Sequence, residues 1–251
     1  MLRIAVQSKG RLNEDSMKLL EEVGVKLSVG KRQLLTRSSN FPSEILFLRD
    51  DDIPKTVADG IADVGIVGEN ELVEKNANAK IVKRLGFSNC RLSLAIPKEA
   101  DYNGLEWFNG KKIATSYPEI LTAFLKKNNL NAKIFVISGS VEISPEIGVA
   151  DAIFDIVSSG STLVAHRLNE VEVVMKSEAV MIANNDLTSE KQTILEELLF
   201  RIETVQEAAQ KKYILMNVPN DKIKDIVEIL PGIKAPTIMP LVRDGWSSLH
   251  T

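Results

Sequence analysis

Short apolar runs rich in β-branched residues alternate with helical patterns along this chain. The strand-like runs are LRIAV (2–6), EILFL (44–48), DVGIVG (63–68), RLSLAIP (91–97), KKIATS (111–116), AKIFVIS (132–138), DAIFDIV (151–157) and EVEVVM (170–175). Most of these runs precede a stretch with helical spacing, which is typical of α/β proteins with mainly parallel sheets. The pattern therefore predicts an α/β fold.

Two helical stretches have a clear apolar face. In the first, Met17, Leu20 and Val23 share one face, and Gly24 suits the left-handed conformation that ends a helix. The second is long and opens with a predicted capping box at 189–192. Its apolar stripe consists of Ile194, Leu198, Ile202 and Val205.

The last part of the chain reads as a third unit. A strand is predicted at KKYILMNVP (211–219), followed by a short amphipathic helix, a PG stop and two more apolar runs. The apolar positions of that helix are Ile223, Ile226, Val227 and Leu230. From Lys211 to Thr251 there are only about 41 residues, close to the size at which a single core stops being self-sufficient. We therefore expect this unit to be stabilised by packing against the rest of the chain or against another subunit.

Composition narrows the classes of protein to consider. The 251 residues include 31 Lys and Arg against 34 Asp and Glu, a net charge of −3, which argues against bulk nucleic-acid binding. No signal peptide or membrane span is readable, so a cytoplasmic location is expected. The single cysteine, Cys90, fits a reducing compartment, and with two histidines the chain cannot assemble a Cys/His zinc site.

The most informative segment is DAIFDIVSSGSTLVAHRL, residues 151–168. A predicted strand ends at Val157, the tight loop SSGST follows, and a helical stretch begins near Thr162. Gly160 lets the backbone approach a ligand, while loop amides and hydroxyls offer donors to an anion such as a terminal phosphate. The alternative is an ordinary turn in which Asp155 caps backbone amides and the serines are solvated.

Two acids lie just upstream of this loop. Asp151 and Asp155 are four residues apart, so both lie on one face of an extended strand. We expect these carboxylates to hold ribose hydroxyls or a Mg²⁺ ion. The acids together with the glycine loop resemble the 5-phosphoribosyl-1-pyrophosphate (PRPP) loop of phosphoribosyltransferases.

Further segments narrow this resemblance to ATP phosphoribosyltransferase, the first enzyme of histidine biosynthesis, in its long form with a C-terminal regulatory domain. They are VQSKGRL (6–12), RDDDIPKTVADGIADVGIVGENEL (49–72), CRLSLAIP (90–97), KKIATSYP (111–118), GSVEISPEIGVADAIFDIVSSGSTL (139–163) and KYILMNVPNDKIKDIVEILPGIKAPTIMPL (212–241). The similarity covers nearly the whole chain in order.

The resemblance implies a transferase that joins N1 of ATP to C1 of PRPP and releases pyrophosphate, with Mg²⁺ as the cofactor. It also implies that PRPP binds at Asp151, Asp155 and the loop residues Ser158, Ser159, Gly160, Ser161 and Thr162. No covalent enzyme intermediate is expected, because electrostatic stabilisation and positioning should dominate the catalysis. A solute-binding or sensor protein of the same fold is the alternative function, and a catalytically silent regulatory paralogue is a second one.

Cations near predicted strand ends are candidates for binding ATP or pyrophosphate. Lys9, Gly10 and Arg11 follow the first strand, and Arg49 follows the run at 44–48. Lys9 and Arg11 have an alternative role as surface charges, and Arg49 has one as the partner of an acid at 50–52. The glycines of GIADVGIVG (60–68) serve either close packing or ligand contact.

Tyr117 and Glu142 are two further candidates for contact with the substrates. Tyr117 follows a strand, at a helix start where Ser116 and Glu119 predict a capping box, and its ring is a candidate to lie against adenine. Glu142 is either a helix-entry acid or a contact to the PRPP ribose. Glu142 and Asp155 are the first candidates for a general base, and Lys9 and Arg49 complete the predicted catalytic set.

The resemblance also implies a domain organisation. Two lobes like those of periplasmic binding proteins surround a central cleft, with lobe I at 1–92 and 176–210 and lobe II at 93–175, linked near 90–97 and 170–176. A small βα regulatory domain occupies 211–251. The family's domain continues past the position of Thr251, so we expect it to be incomplete, with weak feedback by histidine. Family members form homo-oligomers, namely dimers and, with histidine, hexamers.

Overall fold

The computed structural model describes residues 1–27 and 34–251 of the chain. The chain divides into two compact units, Met1–Leu199 and Phe200–Thr251. Within the described ranges, no helix combines the length and the apolar character that crossing a membrane requires.

The first unit contains two mixed β-sheets, and each sheet is the centre of one lobe. Its strands are β1 (Leu2–Gln7), β2 (Leu35–Arg37), β3 (Ser43–Leu48), β4 (Val64–Gly68), β5 (Lys80–Arg84), β6 (Cys90–Pro97), β7 (Lys112–Thr115), β8 (Lys133–Val136), β9 (Ala152–Val157), β10 (Leu168–Ser177) and β11 (Ala179–Ala183). Its helices are α1 (Arg11–Glu22), α2 (Ile53–Ala58), α3 (Glu69–Lys75), α4 (Pro118–Lys127), α5 (Ser161–Ala165) and the start of α6 (Ser189–Ala209). The strand orders are β2-β3-β1-β4-β11-β5 and β10-β6-β9-β7-β8. The predicted α/β class is confirmed.

The direction of the strands differs from the prediction of mainly parallel sheets, which is wrong. β1 runs parallel to β3 and β4, and β7 runs parallel to β8 and β9. The other pairings described for this unit are antiparallel. β2 and β3 are consecutive strands of the first sheet. The other antiparallel pairs arise from the passage between lobes, because each involves β6, which enters the second sheet, β10, which leaves it, or β11, which returns into the first sheet.

The chain crosses between the lobes twice. The first crossing, at 85–89, connects the end of β5 to the start of β6, and the second consists of Glu178 between β10 and β11. The predicted linking segments at 90–97 and 170–176 are therefore strands of the second sheet, and the crossings lie at their ends. β6 and β10 pair along most of their length, so the two connections leave the second lobe side by side.

The core of the first sheet lies around its central strands. β4 and β11 are buried along almost their whole length, so their sequences are continuous apolar runs rather than alternating ones. Gly65 in β4 is there for packing, since a Cβ at this position would lie 2.6 Å from the side chain of Ile53. Close helix and strand packing therefore explains this glycine.

Helix ends follow the sequence signals in one case and depart from them in another. At the end of α1, Gly24 has φ +79° and its N–H donates to the carbonyl of Glu21, as predicted. At the start of α6, the predicted capping box at 189–192 is displaced by one residue. Thr188 is the capping residue, because its hydroxyl accepts from the N–H of Lys191 at 3.4 Å.

The second unit is built on a small antiparallel sheet. It contains the end of α6, then β12 (Leu215–Pro219), α7 (Ile223–Ile229), β13 (Thr237–Pro240) and β14 (Trp246–His250), with strand order β12-β14-β13. The predicted strand at 211–219 is confirmed only from Leu215 onward, and the predicted amphipathic helix is confirmed as α7. Leu249 in the middle strand is fully buried.

Candidate active site

The loop between β9 and α5 carries the sequence SSGST at 158–162. Gly160 has φ +81°, in the left-handed region that residues with a side chain rarely adopt. This glycine lets the chain turn from the strand into the helix within three residues. The strand, tight loop and helix expected from the sequence are therefore confirmed here.

The backbone amides of this loop are available to a ligand. In the part of the chain that the structure describes, the N–H groups of Ser159, Gly160 and Thr162 have no protein acceptor. The hydroxyls of Ser159 and Ser161 lie 3.0 Å apart and bond to each other. A cavity of about 300 Å³ lies against the loop. Unpaired amides around a concave space can bind an anion such as a phosphate group.

Two acids share this cavity with the loop. Asp155 on β9 and Glu142, in a short 3-10 turn at 141–143, are both half-buried and both line it. Burial, together with the negative charge of Glu142, raises the pKa of the Asp155 carboxyl to about 6. The geometry thus brings Glu142, Asp155 and the loop together, as the resemblance implied.

Asp151 does not join this group. It precedes β9, and its Oδ2 accepts from the N–H of Lys112 at 2.8 Å. It lines a different cavity, with Trp107 and Lys112. Four residues of extended strand span about 13 Å, so a carboxylate on the same face as Asp155 is still too far away to contact a ribose beside the loop. The expectation that both acids flank the PRPP site is corrected accordingly.

A second cavity, of about 290 Å³, connects the two lobes. From the first lobe it is lined by Gly10, Arg11 and Asp50, and from the second by Ile156 and Ser158, among others. Ser158 and Ile156 also line the cavity at the phosphate loop, so the two spaces adjoin at these residues. Ligands at Gly10 and at the loop would therefore lie in one cleft.

The predicted cations are exposed at the first-lobe side. Among the described residues, no carboxylate lies within 4.0 Å of the charged groups of Lys9, Arg11 or Arg49, so none of them is neutralised by an ion pair. The suggested pairing of Arg49 with an acid at 50–52 is therefore absent, and Asp51 instead lies 3.9 Å from Lys75. Arg11 lines the cleft, whereas Lys9 and Arg49 lie outside the lining of the cavities described here.

Tyr117 lies differently from the prediction. Its ring packs in the core of the second lobe and is only 8% exposed, so it does not present a face to an adenine ring. Its hydroxyl lies 3.4 Å from Nδ2 of Asn70 and also bonds to Glu71. Both partners are buried residues of α3 that line the cleft. Sequence reasoning missed them, although α3 directly follows β4, just as α5 follows β9 after its loop.

The N-terminus of α4 is capped from the other lobe. Both oxygens of Glu74 on α3 accept hydrogen bonds, one from the N–H of Glu119 and one from that of Ile120, each at 3.0 Å. The predicted capping box of Ser116 and Glu119 is therefore wrong. The hydroxyl of Ser116 instead donates to the carbonyl of Ile137 at 2.7 Å. A carboxylate 45 residues away provides the cap and joins the lobes.

Arg91 is a further residue near the loop that sequence reasoning did not select. Its guanidinium forms a bidentate pair with Glu170, with both N–O distances 2.5 Å, and Nη1 donates to the carbonyl of Ser158 at 3.1 Å. Ser93 donates to the same glutamate at 2.7 Å. Arg91, Ser158 and Cys90 line a third cavity, of about 520 Å³.

Comparison with known proteins places this chain in a family. A family model described as ATP phosphoribosyltransferase matches residues 49–204, and a model of that family's C-terminal domain matches 208–251. The ATP phosphoribosyltransferase of Bacteroides thetaiotaomicron is 67% identical over all 251 residues, which span 89% of that relative. The chain belongs to the ATP phosphoribosyltransferase family. The sequence-based assignment to this enzyme family, in its long form, is thereby confirmed.

Solved structures agree with this assignment to the ATP phosphoribosyltransferase family. A chain from an ATP phosphoribosyl transferase complex of Thermotoga maritima matches with a TM-score of 0.70 and 26% identity, covering 81% of this chain and all of that one. The substrate-binding protein of an amino acid ABC transporter matches with a TM-score of 0.55 and 11% identity, over 83% of this chain and 94% of that chain. The second likeness concerns the fold alone and confirms the predicted two-lobed architecture.

Proposed function

We propose that this chain transfers the phosphoribosyl group of PRPP to N1 of ATP and releases pyrophosphate, the first step of histidine biosynthesis. The observation that carries the proposal is the loop at 158–162, whose unpaired amides adjoin a cavity that meets the cleft between the lobes. Membership in the family supports the same reaction.

The 5-phosphate of PRPP binds the loop. The N–H groups of Ser159, Gly160 and Thr162 donate to its oxygens, and the loop hydroxyls provide further donors. The ribose then lies beside Asp155 and Glu142, whose carboxylates accept hydrogen bonds from its hydroxyls. Fixing the phosphate at one end and the hydroxyls at the other sets the position of C1 in the cleft.

The first lobe supplies positive charge for the remaining phosphates. Arg11 and Gly10 line the cleft, and Lys9 lies next to Gly10 in the chain. Arg49 follows β3, which pairs with β1 up to Gln7, and neither Lys9 nor Arg49 has an ion-pair partner in the described ranges. One cation about 4 Å from a phosphate oxygen gains about 1 kcal/mol in water and about 4 kcal/mol at an effective dielectric near 20. A net charge of −3 makes such local cations necessary for binding two polyanionic substrates.

The donor set fits a Mg²⁺ ion held mainly by the substrates. In the described part of the chain, no group of three or more His, Cys, Asp or Glu side chains could hold a metal ion. Mg²⁺ usually keeps several waters and takes one or two carboxylates together with substrate phosphates. Asp155 or Glu142 would provide that carboxylate. When bound, the ion neutralises charge that develops on the departing pyrophosphate.

The chemical step needs positioning more than a protein nucleophile. The lone pair of adenine N1 forms a bond to C1 while the bond from C1 to the pyrophosphate oxygen breaks, and the pyrophosphate leaves with that electron pair. Cationic side chains stabilise the negative charge on the leaving group. The adenine gains positive charge and loses a proton from its amino group. Asp155 and Glu142 are the carboxylates beside the loop that can accept it.

A rate assay separates this function from that of a two-lobed protein that only binds ligands. Pyrophosphate release is measured with ATP, PRPP and Mg²⁺, and again with each component left out. We expect release only when all three are present. A binding or sensor protein, or a silent regulatory paralogue, would release none.

Asp155 on β9 and Asp151 just before that strand provide a matched pair for the PRPP site. We expect Asp155→Asn to raise the KM for PRPP or lower kcat by about tenfold or more, because it removes an acceptor for the ribose or the metal. Asp151→Asn should change either constant by less than about twofold, since Asp151 lies at the other end of β9. Equal effects of the two substitutions would contradict this placement of the ribose.

Assembly, regulation and location belong to the same proposal. We infer a cytoplasmic enzyme that works as a homo-oligomer, which fits the single free cysteine and the small second unit. Histidine, the end product of the pathway, would act as a feedback inhibitor through the C-terminal domain that matches residues 208–251.

A further inference from the structure

Arg91 connects the phosphate loop to the strands that enter and leave the second lobe. It lies at the start of β6, opposite Val157 of β9 and Lys176 of β10. Its guanidinium holds both carboxylate oxygens of Glu170 on β10 and, through Nη1, the carbonyl of Ser158. One side chain therefore joins three strands at the point where the loop begins.

The loop has little else to fix it. Among the described residues, the other hydrogen bonds of residues 158–162 join the loop to itself or to α5, such as the pair of Ser159 and Ser161 and the bond from Val164 N–H to the Gly160 carbonyl. The bond from Arg91 is the tether from outside this segment. Because Ser158 is the first residue after β9, holding its carbonyl orients the peptide groups that follow.

Glu170 keeps the guanidinium in place. The bidentate pair is charge-assisted on both sides, and the hydroxyl of Ser93 donates to the same carboxylate at 2.7 Å. The bond to the Arg91 guanidinium lowers the pKa of Glu170, so this carboxylate stays ionised at neutral pH. With Nε and Nη2 bound to Glu170, Nη1 is left to hold the loop.

We propose that Arg91, anchored by Glu170, is a positioning residue that holds the phosphate loop in the conformation that binds the 5-phosphate of PRPP. It acts through the Ser158 carbonyl rather than by touching the substrate. This inference rests on the proposed function, because it takes the loop to be the PRPP site. Its consequence is specific, since the affinity for PRPP should depend on this pair while the affinity for ATP should not.

The test uses Arg91→Lys, with Arg84→Lys as the matched control. Arg84 lines the same cavity of about 520 Å³ and also pairs with glutamates, Glu69 at 2.6 Å and Glu178 at 3.1 Å. It belongs to the first lobe, and its described hydrogen bonds go to Glu69 and Glu178 rather than to the loop. A lysine keeps the charge at either position but cannot make the bidentate pair and a third bond together. The two substitutions should therefore lower the thermal midpoint similarly.

Steady-state KM values for PRPP and ATP then distinguish Arg91→Lys from Arg84→Lys. We expect Arg91→Lys to raise the KM for PRPP by about tenfold while the KM for ATP changes less than about twofold. Arg84→Lys should leave both constants near those of the wild type. An unchanged KM for PRPP in Arg91→Lys, or an equal rise in Arg84→Lys, would overturn the inference.

Glu170→Gln distinguishes positioning from direct contact. If Arg91 acts through the loop, weakening its anchor should also raise the KM for PRPP, and the double variant with Arg91→Lys should be no worse than the poorer single one. If Arg91 instead touches the phosphate, removing its counter-charge should leave PRPP binding unchanged or tighter, which would contradict the proposal.

The failure of the proposed function would be visible separately. If the wild type shows no turnover, calorimetry with ribose 5-phosphate replaces kinetics as the measurement on the same variants. Weaker binding of this probe by Arg91→Lys and Glu170→Gln, but not by Arg84→Lys, would support the positioning role without the transferase reaction. Equal binding by all variants, or no binding even by the wild type, would overturn it.

Discussion

At Gly160, a single backbone torsion turns the chain from the end of β9 into α5. With φ +81° the residue turns the chain so that neighbouring N–H groups have no acceptor among the described residues. A Cβ added there would meet only Val157 Cγ1, at an ordinary 3.9 Å. The position therefore has room inside the protein, and the demand for glycine comes from its left-handed conformation. A phosphate bound at the loop, as we propose, would add a second demand.

Replacing this glycine tests the loop directly. We expect Gly160→Val to weaken PRPP binding by about a hundredfold or more, since its side chain restricts the loop and occupies space that the phosphate needs. Isothermal calorimetry with PRPP measures the loss.

Gly148→Val is the control for backbone strain. Gly148 has φ +72° and lies in the same lobe away from the loop. Apart from its chain neighbours, no described residue has an atom within 4 Å of a Cβ added there. Both variants should lose about 1–2 kcal/mol of stability from the left-handed conformation. Retained PRPP affinity in Gly160→Val, or an equal loss in Gly148→Val, would show that the loop is not the phosphate site.

Asp155 should make stability depend on pH. Its pKa is raised from 3.8 to about 6, first by burial and then by the charge of Glu142. Between these values the folded protein holds a proton that the unfolded chain has released, so the free energy of unfolding falls as pH rises through this window. In Asp155→Asn this loss is absent.

Urea unfolding without ligands measures the effect. The unfolding free energy of the wild type minus that of Asp155→Asn should fall by about 2–3 kcal/mol between about pH 4 and pH 7. A difference that stays constant or rises over this range would mean that the carboxylate is not desolvated in the folded state.

At the scale of elements, the sequence correctly predicted those features whose conformation depends on residues close together in the chain. The strand, glycine loop and helix at 151–165 and the glycine end of α1 depend on neighbouring residues, and both appear as expected. β11 was not predicted, because a run of five apolar residues such as AVMIA fits a buried strand or a helix equally well. Strand directions depend on how the chain passes between lobes, which no periodicity encodes.

In the candidate site too, features formed by neighbouring residues were predicted, and contacts between distant residues were not. Glu142, Asp155 and the loop at 158–162 were found because they lie within or beside one strand–loop–helix unit. The roles of Glu74 and Arg91 were not found, because their partners lie 45 and 67 residues away. Tyr117 follows a strand like the loop residues, yet its burial against α3 was invisible in the sequence.

The pairing of α3 with α4 can be tested at Glu74, which is buried and accepts two N–H groups from the other lobe. We expect Glu74→Ala to cost about 1–3 kcal/mol, because the amides of Glu119 and Ile120 lose their acceptor. Hydrogen exchange at these two amides should accelerate. Glu74→Gln, which keeps one acceptor oxygen, should have a smaller effect, and unchanged exchange in Glu74→Ala would contradict the cap.

At the scale of the whole molecule, the candidate site is formed by segments that lie far apart in the chain. The residues after β1 and β3 provide cations, the end of β9 provides the loop, and one cleft lies between them. The second unit, Phe200–Thr251, has a sheet of three strands. Leu215 and Met239 of its edge strands are at least half exposed. Such a small sheet gains stability when another chain covers it.

We expect the protein to be a homo-oligomer in light scattering and to be inhibited by histidine through its second unit. Coupling between an effector and the reaction requires two states that the effector distinguishes. Initial rates measured at increasing histidine, together with the molar mass at the same concentrations, check both statements. A monomer, or rates that histidine leaves unchanged, would contradict this expectation.

The identity of the product tests the central claim most directly. The protein is incubated with ATP, PRPP and Mg²⁺, and the nucleotide product is analysed by NMR and mass spectrometry. The account predicts a nucleotide in which C1 of phosphoribose is joined to N1 of the adenine, formed in equal amount with pyrophosphate. Intact PRPP, its hydrolysis without transfer, or a linkage to a different atom of ATP would contradict it.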